Sequence, residues 1–208
     1  DFFGSAGYKL TPPIWDTNWT QFAAGDAVSY QSAPLTEDMI LVGPGYVDLF
    51  VMSPEADLSV QATLTEVRSD GYETLIQSGW LRLGHRLASV DSKGRLERSY
   101  SLEDFQPMPA NEWVNAKLAI PSVAHPIRAG SSIRLILSAP GRDHGTWLFE
   151  SPEYQEPPIV SIGWGDARPS RLVMGALPDV DVPAGLPPCP SLRGQPCREF
   201  VATANQEQ

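Results

Sequence analysis

Three histidines, His85, His125 and His144, are the only imidazoles in the chain, so any serine-hydrolase chemistry would have to use one of them as general base. The sequence has no G-x-S-x-G run, the signature of the strained strand-to-helix elbow that exposes a nucleophilic serine. His85 follows a strand-like run, and His125 precedes Pro126 in what reads as a turn. Neither is assigned a catalytic role. His144 sits in the polar stretch Gly141-Arg142-Asp143-His144-Gly145-Thr146. With Trp147 it is a candidate contact for a ligand or a neighbouring domain, against the plainer reading of a solvated loop. No catalytic residue is therefore assigned, and the chain is expected to have no hydrolytic turnover of its own.

Metal chemistry is no better supplied. Cys189 and Cys197 have no second cysteine pair and no H-x-x-x-H beside them, which excludes a zinc site of the usual kind. Asp57 and Asp91 are loop carboxylates of the type that calcium takes, but no metal and no cofactor is assigned. Of the six tryptophans, Trp80 and Trp113 fall in strand-like runs and are expected in the core. Trp15, Trp19, Trp147 and Trp164 lie in loops or at edges and would form any sugar-stacking face.

The cysteines lie in a proline-rich tail, LPPCPSLRGQPCREF. Their short spacing and proline flanks predict a Cys189–Cys197 disulfide. Closing a ring of this size stabilises by about 2.5 kcal/mol in the chain-entropy picture and implies an oxidising compartment. Two free thiols in a cytosolic tail are the alternative.

With 25 acidic and 15 basic residues the net charge is −10. That repels phosphate backbones and anionic lipid, so neither nucleic acid nor membrane is an expected partner. No apolar run approaches the roughly 20 residues that span a bilayer. Only 19% of residues are charged, against 42% apolar, 20 prolines and 17 glycines; many turns and few charges favour sheets over helices. The chain opens at Asp1 with no basic or apolar leader, and the expectation is a processed or trimmed polypeptide. Asn18-Trp19-Thr20 matches a glycosylation tripeptide and is given little weight.

Three regions follow from the pattern. Residues 1–25 form an irregular lead-in with six aromatics from Phe2 to Phe22, expected as a strap over an apolar surface that either self-associates or stays mobile. Residues 26–178 carry the strands: Met39 to Val42, a turn at Gly43-Pro44-Gly45, Tyr46 to Met52, Leu58 to Val67 and Glu73 to Leu83. Asp70-Gly71 marks a type I′ hairpin between the last two. The polar stretch 88–111 is too long for a hairpin and fits a crossover between two sheets. Strands resume at Trp113 to Ile120, Ser132 to Ser138, Pro158 to Ile162 and Arg171 to Leu177, about eight in all. Residues 179–208 are a proline-rich tail.

The order of these features resembles a known family. Ser32 to Leu35 matches a Ser-x-Pro-Leu opening, and Asp38 to Met52 a strand, glycine turn and strand ending at Ser53. Asp57 to Val67, the Asp70-Gly71 tip and Gly79-x-x-Arg82-x-x-x-Arg86 follow in register, then Ile127-Arg128-Ala129-Gly130 with Ser132 to Ser138, and Pro169 to Val173. Together, over about 150 residues, they resemble the C-terminal non-catalytic domain of X-Pro dipeptidyl-peptidases, cocaine esterase and α-amino-acid ester hydrolases. The resemblance implies an all-β jelly-roll sandwich, galactose-binding-domain-like. It implies a partner too: the α/β-hydrolase catalytic domain of the same polypeptide, carrying the serine triad, in a secreted or periplasmic enzyme that cleaves X-Pro dipeptides or acyl esters and amides. This module would pack on that domain and wall its active-site entrance. Asp57, Asp70, Gly71, Arg82 and Arg86 then have structural roles, with Asp57, Glu66 and Glu73 as candidate partners for the two arginines unless these extend to solvent. A free-standing carbohydrate-binding or protein-interaction module is the alternative.

Overall fold

The computed structural model describes residues 21–141, 154–178, 180–190 and 195–203. The lead-in aromatics up to Trp19, together with His144 and Trp147, lie outside the described residues.

Among the described residues eleven strands form: β1 (Ala27–Gln31), β2 (Met39–Met52), β3 (Ser59–Val67), β4 (Tyr72–Arg82), β5 (Ser89–Val90), β6 (Leu96–Glu97), β7 (Val114–Ile127), β8 (Ser132–Ser138), β9 (Ser161–Ile162), β10 (Arg171–Pro178) and β11 (Cys197–Glu199). One antiparallel sheet, A, has the order β1-β8-β3-β4-β11. The second, B, has the order β10-β2-β7, with β9 also pairing β2. The two stack as an all-β sandwich. The count differs from the expected eight because the runs Met39 to Val42 and Tyr46 to Met52 join as β2, while β1 and the two- or three-residue pieces β5, β6 and β11 add four strands that the pattern does not mark.

The sandwich follows from period-two alternation. Val47, Leu49 and Val51 of β2 point to one face, as do Val60 and Ala62 of β3 and Ala116, Leu118 and Ile120 of β7, and these side chains form the closed core between the sheets. A smaller cluster of Leu41, Leu64 and Ile127 fills one end. The sheets approach closely at Gly79, where an added Cβ would lie 2.0 Å from the Ala119 carbonyl oxygen.

Three local expectations are corrected. Gly43-Pro44-Gly45 is not a turn: β2 runs straight through it, and the pairing with β7 slips one residue between Gly43 and Gly45. A bulge of this kind absorbs an extra residue while both strands continue. That slip also carries β7 beyond Ile120 to Ile127, so His125 lies in a strand and not in a turn. The hairpin between β3 and β4 centres on Ser69 and Asp70, closed by Gly71 N–H to the Arg68 carbonyl at 3.1 Å. Only Gly71, at φ +86°, takes the left-handed conformation there, the geometry of a type I turn followed by a glycine bulge rather than type I′.

Residues 83–113 carry the chain from β4 in sheet A to β7 in sheet B, the expected crossover. It is tied down by backbone bonds from Gln106 to Gly84, Met108 to Ala56 and Asn111 to Ser53, and the Met108 side chain is buried in the core.

Candidate functional site

Several of the described residues singled out for chemistry serve as fasteners. His85 closes a short 3-10 turn, Leu83–His85, with its ring edge-on to Phe105 at 5.3 Å. His125 Nε2 lies 2.8 Å from Glu66 Oε2, across the gap between sheets B and A. Arg82 grips Asp57 through Nε at 2.9 and 3.1 Å, and its guanidinium stacks on Phe105. The Tyr154 hydroxyl donates to the Asp57 carbonyl at 2.9 Å. Its phenol is pushed above its ordinary value by burial, with the charges of Asp57 and Glu55 adding to the effect.

Arg86 departs from expectation: it meets no carboxylate but donates to the carbonyls of Leu83 and Gln106, at 3.3 and 2.5 Å. Glu66 and Glu73, offered as partners for Arg82 and Arg86, are used elsewhere. Asp91, the other loop carboxylate considered for calcium, binds Arg95 Nε at 2.7 Å and accepts from the Lys93 and Arg95 amides. Among the described residues no three His, Cys, Asp or Glu side chains gather into a metal-binding group. Trp80 and Trp113 are not in the inter-sheet core. Trp80 lies on the outer face of sheet A and donates to Gln61 Oε1 at 2.7 Å, while Trp113 precedes β7 with the Arg168 guanidinium 4.7 Å from its ring.

That outer face holds the group that sequence reasoning missed. Glu73 and Arg134 are fully buried there and meet at 2.9 Å, and Arg198 of β11 reaches the second Glu73 oxygen at 2.8 Å. The Thr65 hydroxyl donates to Glu73 at 2.8 Å, and the Arg134 guanidinium stacks 5.1 Å from the Phe200 ring. A buried charge pair of this kind persists only with such further partners. The available signal was Arg134 itself, a guanidinium in the middle of the apolar run SIRLILS.

The C-terminal segment 195–203 supplies part of this cover. Beyond β11, the Phe200 amide binds the Gly71 carbonyl, and Thr203 Oγ1 meets Ser29 Oγ of β1 at 2.5 Å, on the opposite edge of sheet A. At the first residue of the strand, Cys197 forms a disulfide with Cys189, with Cα atoms 5.3 Å apart.

The opposite character appears where the edges of the two sheets diverge, between β1 and β8 on one side and β9 and β10 on the other. A cleft of about 560 Å³ is lined by Val28, Leu58, Tyr154, Ile159 and Ile162. A second of about 390 Å³ runs from Tyr30 and Trp164 down to the core residues Leu49 and Leu135. Leu137 lines both, so they lie along one side of the sandwich. Ile159 and Trp164 stand 78% and 79% exposed on its rim.

Over residues 6–157 the sequence matches the X-Pro dipeptidyl-peptidase C-terminal non-catalytic domain. The chain belongs to this family. Members of this family are non-catalytic by description. Among solved structures the fold is similar to a CocE/NonD family hydrolase from Staphylococcus aureus, with TM-score 0.60 and 18% identity over 73% of this chain and 30% of that one. It is also similar to an aminopeptidase from a marine sediment Thaumarchaeota archaeon, with TM-score 0.57 and 14% identity over 79% of this chain and 28% of that one. An α-amino acid ester hydrolase gives TM-score 0.57 and 16% identity over 73% of this chain and 26% of that one. The chain thus spans less than a third of each of these enzymes. No curated protein matches the chain in sequence.

Proposed function

We propose that this domain is the C-terminal accessory domain of a secreted or periplasmic serine α/β-hydrolase of the X-Pro dipeptidyl-peptidase or acyl ester and amide hydrolase type. It docks on the catalytic domain of its own polypeptide and shapes the active-site entrance. The observation that carries this reading is the apolar side of the sandwich, where the clefts beneath Tyr30, Ile159 and Trp164 open toward the core. A catalytic domain seated there would remove this surface from water, which favours association in proportion to the apolar area buried.

The test uses the full polypeptide that carries this domain. Ile159→Ser with Trp164→Ser should lower the temperature at which hydrolysis of X-Pro nitroanilides or short acyl esters is lost, and should raise KM by altering the entrance. Neither change should unfold the isolated domain, because both side chains project from the rim. Unchanged activity and thermal inactivation in the double variant, or saturable glycan binding by the isolated domain through the same two residues, would overturn the reading.

A further inference from the structure

The environment of the disulfide is asymmetric. Cys189 lies in irregular backbone between Pro188 and Pro190, both exposed. Cys197 lies in β11 opposite Thr74, whose hydroxyl donates to Cys197 Sγ at 3.5 Å. On the same sulfur, Arg68 directs Nη1 at 4.0 Å. The other guanidinium nitrogens are taken by Asp70, Nε at 3.0 Å and Nη2 at 2.5 Å, which fixes the fork and leaves Nη1 for the sulfur. Arg68 itself is buried. A cation and a hydroxyl donor beside one sulfur favour negative charge on it, and in thiol–disulfide exchange the better-stabilised thiolate leaves. Neither cysteine is fully buried, so a reductant can reach the bond.

We propose that Cys189–Cys197 is a redox-active disulfide in which a dithiol reductant attacks Cys189, Cys197 departs as the thiolate toward Arg68 and Thr74, and the strap 195–203 is released from sheet A. The reductant thiolate bonds to Cys189 Sγ as the Cys189–Cys197 bond breaks, and its electron pair goes to Cys197 Sγ. The second thiol of the reductant, as its thiolate, then attacks the reductant's own sulfur in the mixed disulfide and expels Cys189 as a thiolate. Two electrons pass to the protein, both cysteine sulfurs take up protons from solvent according to pH, and the reductant leaves oxidised.

Release follows from what the strap holds. Its grip on the sheet rests on the three-residue strand β11, the bonds from the Leu75 amide to the Pro196 carbonyl, from the Phe200 amide to the Gly71 carbonyl and from the Gln195 side chain to the Leu75 carbonyl, the Arg198–Glu73 pair, the Phe200 contact with Arg134 and the Thr203–Ser29 bond. The disulfide ring restricts the alternatives open to this short segment, and its loss returns that conformational freedom. Opening would uncover Glu73 and Arg134, a charged patch on the sheet face that also carries Thr63 and Thr65.

The experiment treats the folded 208-residue chain with glutathione, quenches with acid and locates the mixed disulfide by peptide mass spectrometry. Glutathione is expected on Cys189; glutathione on Cys197 overturns the direction of attack. Reduction by dithiothreitol should be about tenfold slower in Arg68→Gln and several-fold slower in Thr74→Val, each losing one stabiliser of the leaving sulfur. Equal rates in Thr74→Val and wild type, should Arg68→Gln fail to fold, overturn the assignment of the leaving group. Release is read by hydrogen exchange: on reduction the Arg198 and Phe200 amides should exchange at least about tenfold faster while those of β2 and β7 stay protected. Unchanged exchange at Arg198 and Phe200 overturns the gating.

Discussion

His125 and Glu66 join the two sheets by an ionisable contact: Nε2 of β7 sits 2.8 Å from Oε2 of β3, with the carboxylate 4% exposed and the imidazole 15%. The pair stands at the end of the sandwich where the apolar filling is thinnest, beside Leu41, which pairs with His125, and Ile133, which pairs with Glu66. The fully buried hydrophobics there are Leu41, Leu64 and Ile127, with partly buried side chains such as Met39, Val123 and Ile133 packed against them.

Removing one partner should therefore cost more than removing both. His125→Ala leaves the Glu66 carboxylate buried without its imidazole and should destabilise by about 3 kcal/mol, whereas His125→Ala combined with Glu66→Leu should cost less. Urea unfolding of the two singles and the double gives the cycle. Additive losses would show that the contact couples nothing.

The buried pair on the outer face of sheet A sets a second expectation. Arg134→Met removes the cation that meets Glu73 at 2.9 Å and should destabilise by about 3–5 kcal/mol, because the carboxylate stays fully buried. Arg198→Met removes only the second cation and should cost about 1–2 kcal/mol, with Arg134 still in place. The unfolding midpoint in urea separates the two, and equal losses would place the weight on β11 rather than on the pair within the sheet.

Why the strands were legible and this cluster was not is a matter of which pattern each one breaks. Leu58, Val60, Ala62 and Leu64 alternate before a shift toward Val67, and Asp70-Gly71 marks where the return strand begins, so β3 and β4 could be placed within about a residue. In β7 the inward positions change from Ala116, Leu118 and Ile120 to Val123 and Ile127, a switch from even to odd at Pro121-Ser122. The bulge that makes the switch looks in sequence like the end of a strand, so His125 was read as a turn residue. The outer face of sheet A was illegible for another reason. Gln61, Thr63 and Thr65 alternate with apolar residues just as solvent-facing positions do, yet all three are buried, and beside them Glu73 and Arg134 are met by the strap of residues 195–203, remote in sequence. Arg82 with Asp57 could be anticipated because the ends of β4 and the start of β3 are opposed in a hairpin; Arg134 and Arg198 with Glu73 needed the order of sheet A.

The acid limb of stability should carry the mark of Asp48. Burial alone would raise its carboxyl, but hydrogen bonds from Asn115 and Lys117 and the charges of Lys117 and Arg171 outweigh that and hold it below the usual carboxylate range. A carboxylate depressed in the folded state binds fewer protons there than in the unfolded chain, so its contribution is complete above the unfolded value of about 3.9 and is lost as pH falls through the folded one. Asp48→Asn should thus be less stable than wild type by a constant amount between about pH 6 and 8, with the gap closing below about pH 4. A gap independent of pH down to the acid transition would mean that the charge of Asp48 contributes nothing.

Two glycines separate backbone strain from crowding. Gly71 holds φ +86° with nothing within 4 Å of an added Cβ, so Gly71→Ala should cost only the left-handed penalty of about 1–2 kcal/mol. Gly79 has ordinary φ, but its Cβ would fall 2.0 Å from the Ala119 carbonyl oxygen and 3.0 Å from Leu118 Cδ2, both on the opposite sheet. A backbone carbonyl paired within sheet B cannot rotate away as a side chain would, so the sheets themselves must separate. Overpacking of that kind typically costs about 1–3 kcal/mol and occasionally more, and Gly79→Ala should lie at or above the top of this range. The two variants should differ in more than the midpoint. Gly71→Ala should leave near-ultraviolet circular dichroism unchanged, since its turn is exposed, while Gly79→Ala should perturb it by shifting the contact between sheets. If Gly79→Ala unfolds at the same urea concentration as Gly71→Ala, with an unaltered spectrum, then the approach of the two sheets at Ala119 is looser than 2.0 Å implies.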